Sequence, residues 1–178
     1  MPSELDEHLA RIGLVAFDVD GTLTDGRIFV TAEGADGVAF HVDDGVGIRL
    51  LLDEGIPVAF VSARSSGAAL VRADRLGLRH AYTGVQDKPA QLGKIAAEEG
   101  VELENVLYVG DDLPDLPAFA VVGLPVAPAD ASPEVLARAR LVTERSGGSG
   151  VAREIAERLL RARGRWEAAI SRFTEPSP

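Results

Sequence analysis

No cysteine occurs among the 178 residues, so disulfides, thiolate metal sites and cysteine nucleophiles are all excluded. Freedom from disulfides fits a cytoplasmic setting. The three histidines, His8, His41 and His80, are too scattered for a histidine-rich transition-metal site. Aromatics make up only 5%, which leaves Ala, Val, Leu and Ile to fill the core. Basic residues are also short: Lys+Arg 18 against Asp+Glu 28 gives a net charge of −10. That balance argues against binding nucleic acid, which calls for a basic stripe, and against docking on an anionic membrane surface. Long apolar runs are missing too. The longest uncharged stretch, 116–129, contains Pro117, Pro125 and Pro128 and falls short of a membrane span. Residues 1–11 carry Glu4, Asp6 and Glu7 and do not read as a secretory signal. What remains, at 46% apolar and 26% charged, has the composition of a soluble globular chain forming one domain over 1–178.

Strand-like apolar runs at 12–17, 57–61, 106–109 and 121–126 alternate with amphipathic segments at 46–54, 66–76, 89–99 and 133–139. Gly55, Gly77 and Gly100 each stand just past a periodic segment, where a helix commonly ends. Continuously apolar strands alternating with helices predict a three-layer, Rossmann-like α/β fold with a mostly parallel sheet. One segment departs from this rhythm. Residues 27–31 and 38–42, joined by Ala-Glu-Gly-Ala-Asp-Gly, predict a β-hairpin projecting from the sheet over about 27–42. A Gly-Gly-Ser-Gly loop at 147–150 precedes a last helix at 151–163, with a mobile tail expected at 174–178.

Directly after the first apolar run comes Phe17-Asp18-Val19-Asp20-Gly21-Thr22. In an open parallel sheet the ligand crevice lies at the carboxyl ends of the strands. In extended backbone, residues two apart face one side, so Asp18 and Asp20 can address one ligand. Taken alone, such a pair could be a turn and a helix cap. A second acidic group, Gly110-Asp111-Asp112-Leu113-Pro114-Asp115, follows another apolar strand. Carboxylates converging from separate strands repel unless a cation sits among them, and hard oxygen ligands with room for water and phosphate suit Mg²⁺. Ser62, at the end of the run 57–61, offers a hydroxyl donor, and Lys88 offers a fixed positive charge. Singly, each has an ordinary explanation: a helix N-cap for Ser62 and a solvated surface lysine for Lys88.

The order of these four elements resembles the haloacid dehalogenase superfamily of phosphatases. The resemblance implies that Asp18 is the nucleophile forming an aspartyl-phosphate, and that Asp20 is the general acid and base. It further implies that Asp18, the backbone carbonyl of Asp20, and Asp111 hold Mg²⁺, while Ser62 and Lys88 bind phosphoryl oxygens. Asp112 and Asp115 are then supporting or alternate ligands, with Asp115 the better candidate to orient Lys88. Superfamily members usually carry an inserted cap domain. The interval from Asp18 to Ser62 has room for the hairpin and one helix, and that from Lys88 to Asp111 for one helix, so no cap is expected.

A narrower resemblance is carried by Asp25-Gly26-Arg27-Ile28, by residues 40–51 including Asp43-Asp44-Gly45, by Ser62-Ala63-Arg64, and by Gly147-Gly148-Ser149-Gly150-Val151-Ala152-Arg153-Glu154. These resemble the cap-less 3-deoxy-D-manno-octulosonate 8-phosphate phosphatases. The resemblance implies a small phosphorylated sugar acid as substrate and a Mg²⁺-dependent homotetramer. Hairpins meeting in a central barrel would help cap adjacent sites. Two departures bear on the substrate: Asp43 stands where many relatives carry Arg, and Ser62-Ala63 where Thr-Gly is common. Arg64 is the residue expected to meet the substrate carboxylate or phosphate, because a guanidinium fork matches either. Asp25 and Asp44 are expected to orient loops at the mouth or to serve turns, and His41 to pack on a hairpin face. Three other readings compete: an idle copy acting as an oligomerisation module, a response-regulator receiver, and a phosphatase for another metabolite or for phosphoproteins. Intact Asp18 and Asp20 weigh against the first. The second places its phosphoacceptor on a middle strand.

Overall fold

Ser3 opens the first helix, α1 (Glu4–Arg11), through a capping box with Asp6, which gives the acidic segment before the first strand a structural use. The computed structural model describes residues 3–34 and 36–174. Six strands form one sheet: β1 (Leu14–Phe17), β4 (Val58–Val61), β5 (His80–Tyr82), β6 (Val106–Val109), β7 (Leu124–Ala127) and β8 (Leu141–Val142). Their order is β5-β4-β1-β6-β7-β8, and every pairing is parallel. The four longer strands are buried along their whole length, as strands covered on both faces must be.

Alternate residues of β1 point to opposite layers. Val15 and Phe17 pack with α1, α2 (Val42–Asp53), α3 (Gly67–Leu76), α7 (Val151–Ala162) and α8 (Trp166–Thr174). Leu14 and Ala16 pack with α4 (Lys88–Glu99), α5 (Leu116–Phe119) and α6 (Pro133–Leu136). The expected three layers are thus present. Gly77 and Gly100 close α3 and α4 in the left-handed conformation, as their positions predict. Among the described residues no helix is long and apolar enough to cross a membrane.

Several boundaries differ from expectation. The edge strands β5 and β8 were not anticipated, because three and two residues are too few to show a pattern. The strand expected at 121–126 begins at Leu124, since Val121 to Gly123 complete the turn that follows α5. The hairpin is shorter than 27–42. It pairs only β2 (Phe29–Val30) with β3 (Asp36–Gly37), in the register Phe29 to Gly37. The stretch expected as its second arm instead leads into α2, which starts at Val42, and His41 is that helix's N-cap, its ring accepting from the Asp43 N–H. His41 therefore does not lie on a hairpin face. Helix α7 is followed by α8 rather than directly by a tail. Trp166 at its start is buried, with the guanidinium groups of Arg153 and Arg161 at 4.7 and 5.1 Å from its ring centroid. Of the tail expected at 174–178, Thr174 ends α8 and 175–178 lie outside the described residues.

Candidate active site

Strand order alone brings the acidic segments together. The chain runs from β1 outward through β4 and β5, then crosses to β6, β7 and β8 on the other side of β1. This reversal opens a crevice at the carboxyl ends of the central strands. Asp18 follows β1, Ser62 follows β4, Asp111 follows β6, and Lys88 begins α4 after β5. All four line one cleft of about 370 Å³, together with Asp20, Arg64, Asp112 and Asp115. A second cleft of about 380 Å³ lies along α7, so size does not single out the site. There each arginine is paired: Arg145 with Asp43, Arg153 and Arg161 with Glu157, and Arg158 with Glu154. Convergent groups from separate strands distinguish the first cleft.

Lys88 occupies the floor. It is 3% exposed, and its Nζ donates to Asp18 Oδ1 at 2.6 Å, to Asp115 Oδ1 at 2.6 Å and to the Tyr108 hydroxyl at 3.0 Å. The alternative of a solvated surface lysine is thereby excluded. Helix α4 fixes its origin, with Asp87 capping the Ala90 N–H and Pro89 in the first turn. Asp115 is fully engaged. Its Oδ1 also accepts from Tyr108, and its Oδ2 accepts the backbone N–H groups of Asp111 and Asp112. It thus contacts Lys88, the residue it is expected to orient. Asp112 does not join the cluster; its carboxylate caps the 3-10 turn at Leu113–Asp115.

One oxygen each from Asp18, Asp111 and Asp115 lies within 4.8 Å of the others. Burial pushes the Asp18 carboxyl up to about 8; Asp115's charge adds to the rise and Lys88 opposes it. Burial and then Asp115 likewise raise Asp111 to about 7, against the hydrogen bond from Thr22 Oγ1 at 3.0 Å. Burial works against the Lys88 ammonium, but Asp18 and Asp115 outweigh it and raise its pKa. Two buried carboxylates and the half-buried Asp111 thus surround one ammonium. A hard divalent cation would relieve that excess, and an oxygen-only donor set is what Mg²⁺ accepts. Gly21 makes the close approach to Asp111 feasible. Its φ is +86°, and a Cβ there would fall 2.1 Å from Asp111 Oδ2.

At the mouth, Arg64 grips Asp20 in a two-pronged contact, Nε to Oδ2 at 3.0 Å and Nη2 to Oδ1 at 2.6 Å. Its third nitrogen reaches Asp36 on the hairpin at 2.7 Å. Hydrogen bonding to Asp20 is the main reason that the guanidinium's pKa rises. Ser62 is buried, with Oγ 3.4 Å from Asp20 Oδ2 and 3.1 Å from the Arg64 carbonyl. It is not a helix cap, because Ser66 caps α3. Asp25 serves its turn, accepting the Arg27 N–H. Asp44 is not at the mouth at all; it is buried against α7.

Three contributors have no role legible in the sequence: Tyr108, Thr22 (which stands in the first motif without a stated partner) and Asp36. Tyr108 carried the one available signal, a hydroxyl within an otherwise aliphatic strand. The other two depend on contacts across 89 and 28 residues.

The pattern of the haloacid dehalogenase-like hydrolases matches residues 83–155. The chain is 40% identical over 163 residues to 3-deoxy-D-manno-octulosonate 8-phosphate phosphatase of Yersinia pestis, covering 92% of this chain and 87% of that one. A Xanthomonas campestris crystal structure superposes with a TM-score of 0.94 at 44% identity, over 98% of this chain and 96% of that one. The Moraxella catarrhalis 3-deoxy-D-manno-octulosonate 8-phosphate phosphatase, solved in complex with magnesium, phosphate and KDO, superposes at 0.92 with 36% identity, over 96% and 98%. With that identity across nearly its whole length, and with the acidic crevice in place, the chain belongs to the 3-deoxy-D-manno-octulosonate 8-phosphate phosphatase family of haloacid dehalogenase-like hydrolases and is a phosphatase.

Proposed function

We propose that the protein hydrolyses 3-deoxy-D-manno-octulosonate 8-phosphate, or a closely related 3-deoxy-ulosonate phosphate, with Mg²⁺ as cofactor and through an aspartyl-phosphate on Asp18. The observation that carries this reading is the buried contact of Asp18 with Lys88 beneath a mouth formed by Asp20 and Arg64. Asp18 attacks phosphorus, its second oxygen steered by Lys88, while the sugar alkoxide leaves. Asp20 protonates that alkoxide and then takes a proton from the water that cleaves the acyl-phosphate bond. Lys88 and the Ser62 hydroxyl hold phosphoryl oxygens, and Arg64 turns from Asp20 to the substrate's carboxylate or phosphate. Asp18, Asp111 and the Asp20 carbonyl would hold Mg²⁺, which when bound supplies charge neutralisation for nucleophile and phosphate together. Asp115 keeps Lys88 and the Asp111 backbone in register. The Asp43 departure is offset locally, since Arg145 pairs with it at 3.2 Å.

Besides the sheet strands β4 and β6, the intervals where a cap would be inserted hold β2, β3 and α2, or α4 and a 3-10 turn, among the described residues. The site therefore needs walls from elsewhere. We infer a homotetramer whose hairpins, with Ile28, Phe29 and Val30 exposed, meet their counterparts and cover neighbouring sites. A cytoplasmic setting is part of the same proposal, in keeping with the lack of cysteine.

The deciding experiment is phosphate release from a panel of eight- and nine-carbon 3-deoxy-ulosonate phosphates, simple sugar phosphates and a phosphopeptide, with Mg²⁺ present. One 3-deoxy-ulosonate phosphate is expected to exceed the simple sugar phosphates in kcat/KM by at least about a hundredfold, as a site built around a substrate carboxylate requires. Equal and slow turnover of every compound would refute the sugar-acid reading.

A further inference from the structure

Asp44 has no part in the chemistry above, yet it is 2% exposed. It stands in the first turn of α2, and its Oδ1 accepts the Ala152 N–H of α7 at 2.7 Å. Its Oδ2 is buried without a hydrogen-bond partner among the described residues. Helix α7 has no cap of its own, because the residue before it is Gly150, in the left-handed conformation. Asp44 supplies that cap from 108 residues away. Two helix N-termini thus converge on one carboxylate, and both favour negative charge there. The helices touch closely. A Cβ on Gly47 would fall 2.5 Å from Arg153 Cα and 2.6 Å from the Ala152 carbonyl oxygen.

The segment leading into α7 bears on the catalytic loop. The Gly148 N–H donates to the Thr22 carbonyl at 3.0 Å, and the Gly147 N–H donates to Asp130 at 2.8 Å. A side chain at Gly147 would land 1.9 Å from the Gly21 carbonyl oxygen, and one at Gly148 would land 2.4 Å from the Asp25 nitrogen. Residues 147–150 therefore form a short strut. One end is pinned by Asp44, and the other presses on the backbone that joins Asp20 to Thr22, the partner of Asp111.

We propose that Asp44 is a positioning residue, whose ionised carboxylate pins the start of α7 and, through residues 147–150, holds the catalytic loop in its working geometry. The inference rests on the phosphatase reading of Asp18 and Asp20. Burial raises the Asp44 carboxyl to about 6, with the Ala152 hydrogen bond and the His41 charge opposing the rise, so the anchor is charged at neutral pH and uncharged near pH 5. The titratable and charged groups on the segments around it include His41 capping α2 and Asp43 in its first turn, Glu144 and Arg145 ahead of α7, Arg153 and Glu154 on α7, and Arg72 on α3.

The test is D44N, assayed as the full chain with Mg²⁺ and the best substrate of the wild type. At about pH 7.5 kcat is expected to fall about tenfold with KM within about twofold, the size of effect that a sub-ångström shift of reacting groups produces. The ratio of wild-type to D44N kcat is expected to shrink toward one as pH falls through about 6, because the wild type then loses the same charge. The melting temperature is expected to stay near that of the wild type, because the amide oxygen introduced by D44N can still accept the Ala152 N–H. A D44N enzyme with wild-type kcat, or a ratio that stays flat with pH, would overturn the proposal. Should D44N not fold, G148A disturbs the strut at its other end, and wild-type kcat in that variant would overturn it equally. A wild type that releases no phosphate refutes the parent reading, whereas an active wild type matched by D44N refutes only this one.

Discussion

Lys88 and Phe29 stand near the same cleft under opposite conditions. Lys88 is almost wholly buried and donates to Asp18, Asp115 and Tyr108 at once, on elements anchored in the buried central strands. Phe29 is 65% exposed, in a two-residue strand paired only with β3. The crevice floor is over-determined, since moving any one of its groups strands a buried partner. The hairpin holds little of itself in place and keeps its apolar side chains free for something else. Arg64 spans both regions, with Asp20 on one side and Asp36 on the other. On the proposed function, phosphoryl chemistry would belong to the floor, while choice of substrate and assembly would belong to the projecting rim. This division predicts that changes at the floor reduce turnover itself, and changes at the rim alter recognition.

The largest effect is expected at Asp18. On the proposed mechanism D18N removes the nucleophile, and phosphate release should fall by about a thousandfold or more, in the range seen when a covalent nucleophile is lost. Circular dichroism and sedimentation should be those of the wild type. Activity retained within a few-fold, with Mg²⁺ present, would break the assignment of chemistry to the floor.

R64A should sharpen the boundary between the regions. Loss of a two-pronged charged contact is expected to raise KM for a sugar-acid phosphate about tenfold (~1.4 kcal/mol), with a smaller change in kcat. Steady-state kinetics separates the two parameters. A fall in kcat alone would move Arg64 to the floor.

A smaller effect is expected from pH and metal. Asp18 and Asp111, raised to about 8 and about 7, keep protons in the folded state that the unfolded chain releases around the ordinary carboxylate value of 3.8. The stability those protons confer is complete at low pH and is lost as pH rises through about 7 to 8. Metal-free protein should therefore melt a few degrees lower at about pH 8.5 than at about pH 6, at roughly 2–4 °C per kcal/mol for a chain of this size. Saturating Mg²⁺ should raise the melting temperature and shrink the difference. Scanning calorimetry with and without chelator gives the answer, and a melting temperature that rises with pH in the metal-free protein would contradict the charge excess.

The smallest effect on chemistry is expected at the hairpin. F29S should leave the melting temperature within about 2 °C, because it removes no buried packing from the protomer. Light scattering should show a smaller assembly than the wild type. An unchanged assembly would separate the hairpin from oligomerisation.

How much of this was legible in the chain depends on the range of the interaction. The fully buried strands β1, β4 and β6 announced themselves as apolar runs, and Gly77 and Gly100 marked helix ends correctly, because both signals are local. The edge strands β5 and β8 were invisible at three and two residues. The hairpin was over-read because 38–42 has strand-like alternation, yet His41 is available as a cap and the helix starts there. The sequence by itself determined the raw materials of the candidate site: Asp18, Asp20, Ser62, Arg64 and Asp111 just past strands, Lys88 at a helix start, and an acidic chain with no thiol. Only the tertiary structure decided their partnerships. Sheet order, with β1 between β4 and β6, brings Lys88 to Asp18 across 70 residues and makes Tyr108 and Asp115 its companions. The packing of α2 on α7 turned Asp44 from an expected rim residue into a buried anchor. The reason is that periodicity and spacing record what each residue asks of its neighbours in the chain, whereas a buried charge is defined by neighbours in space.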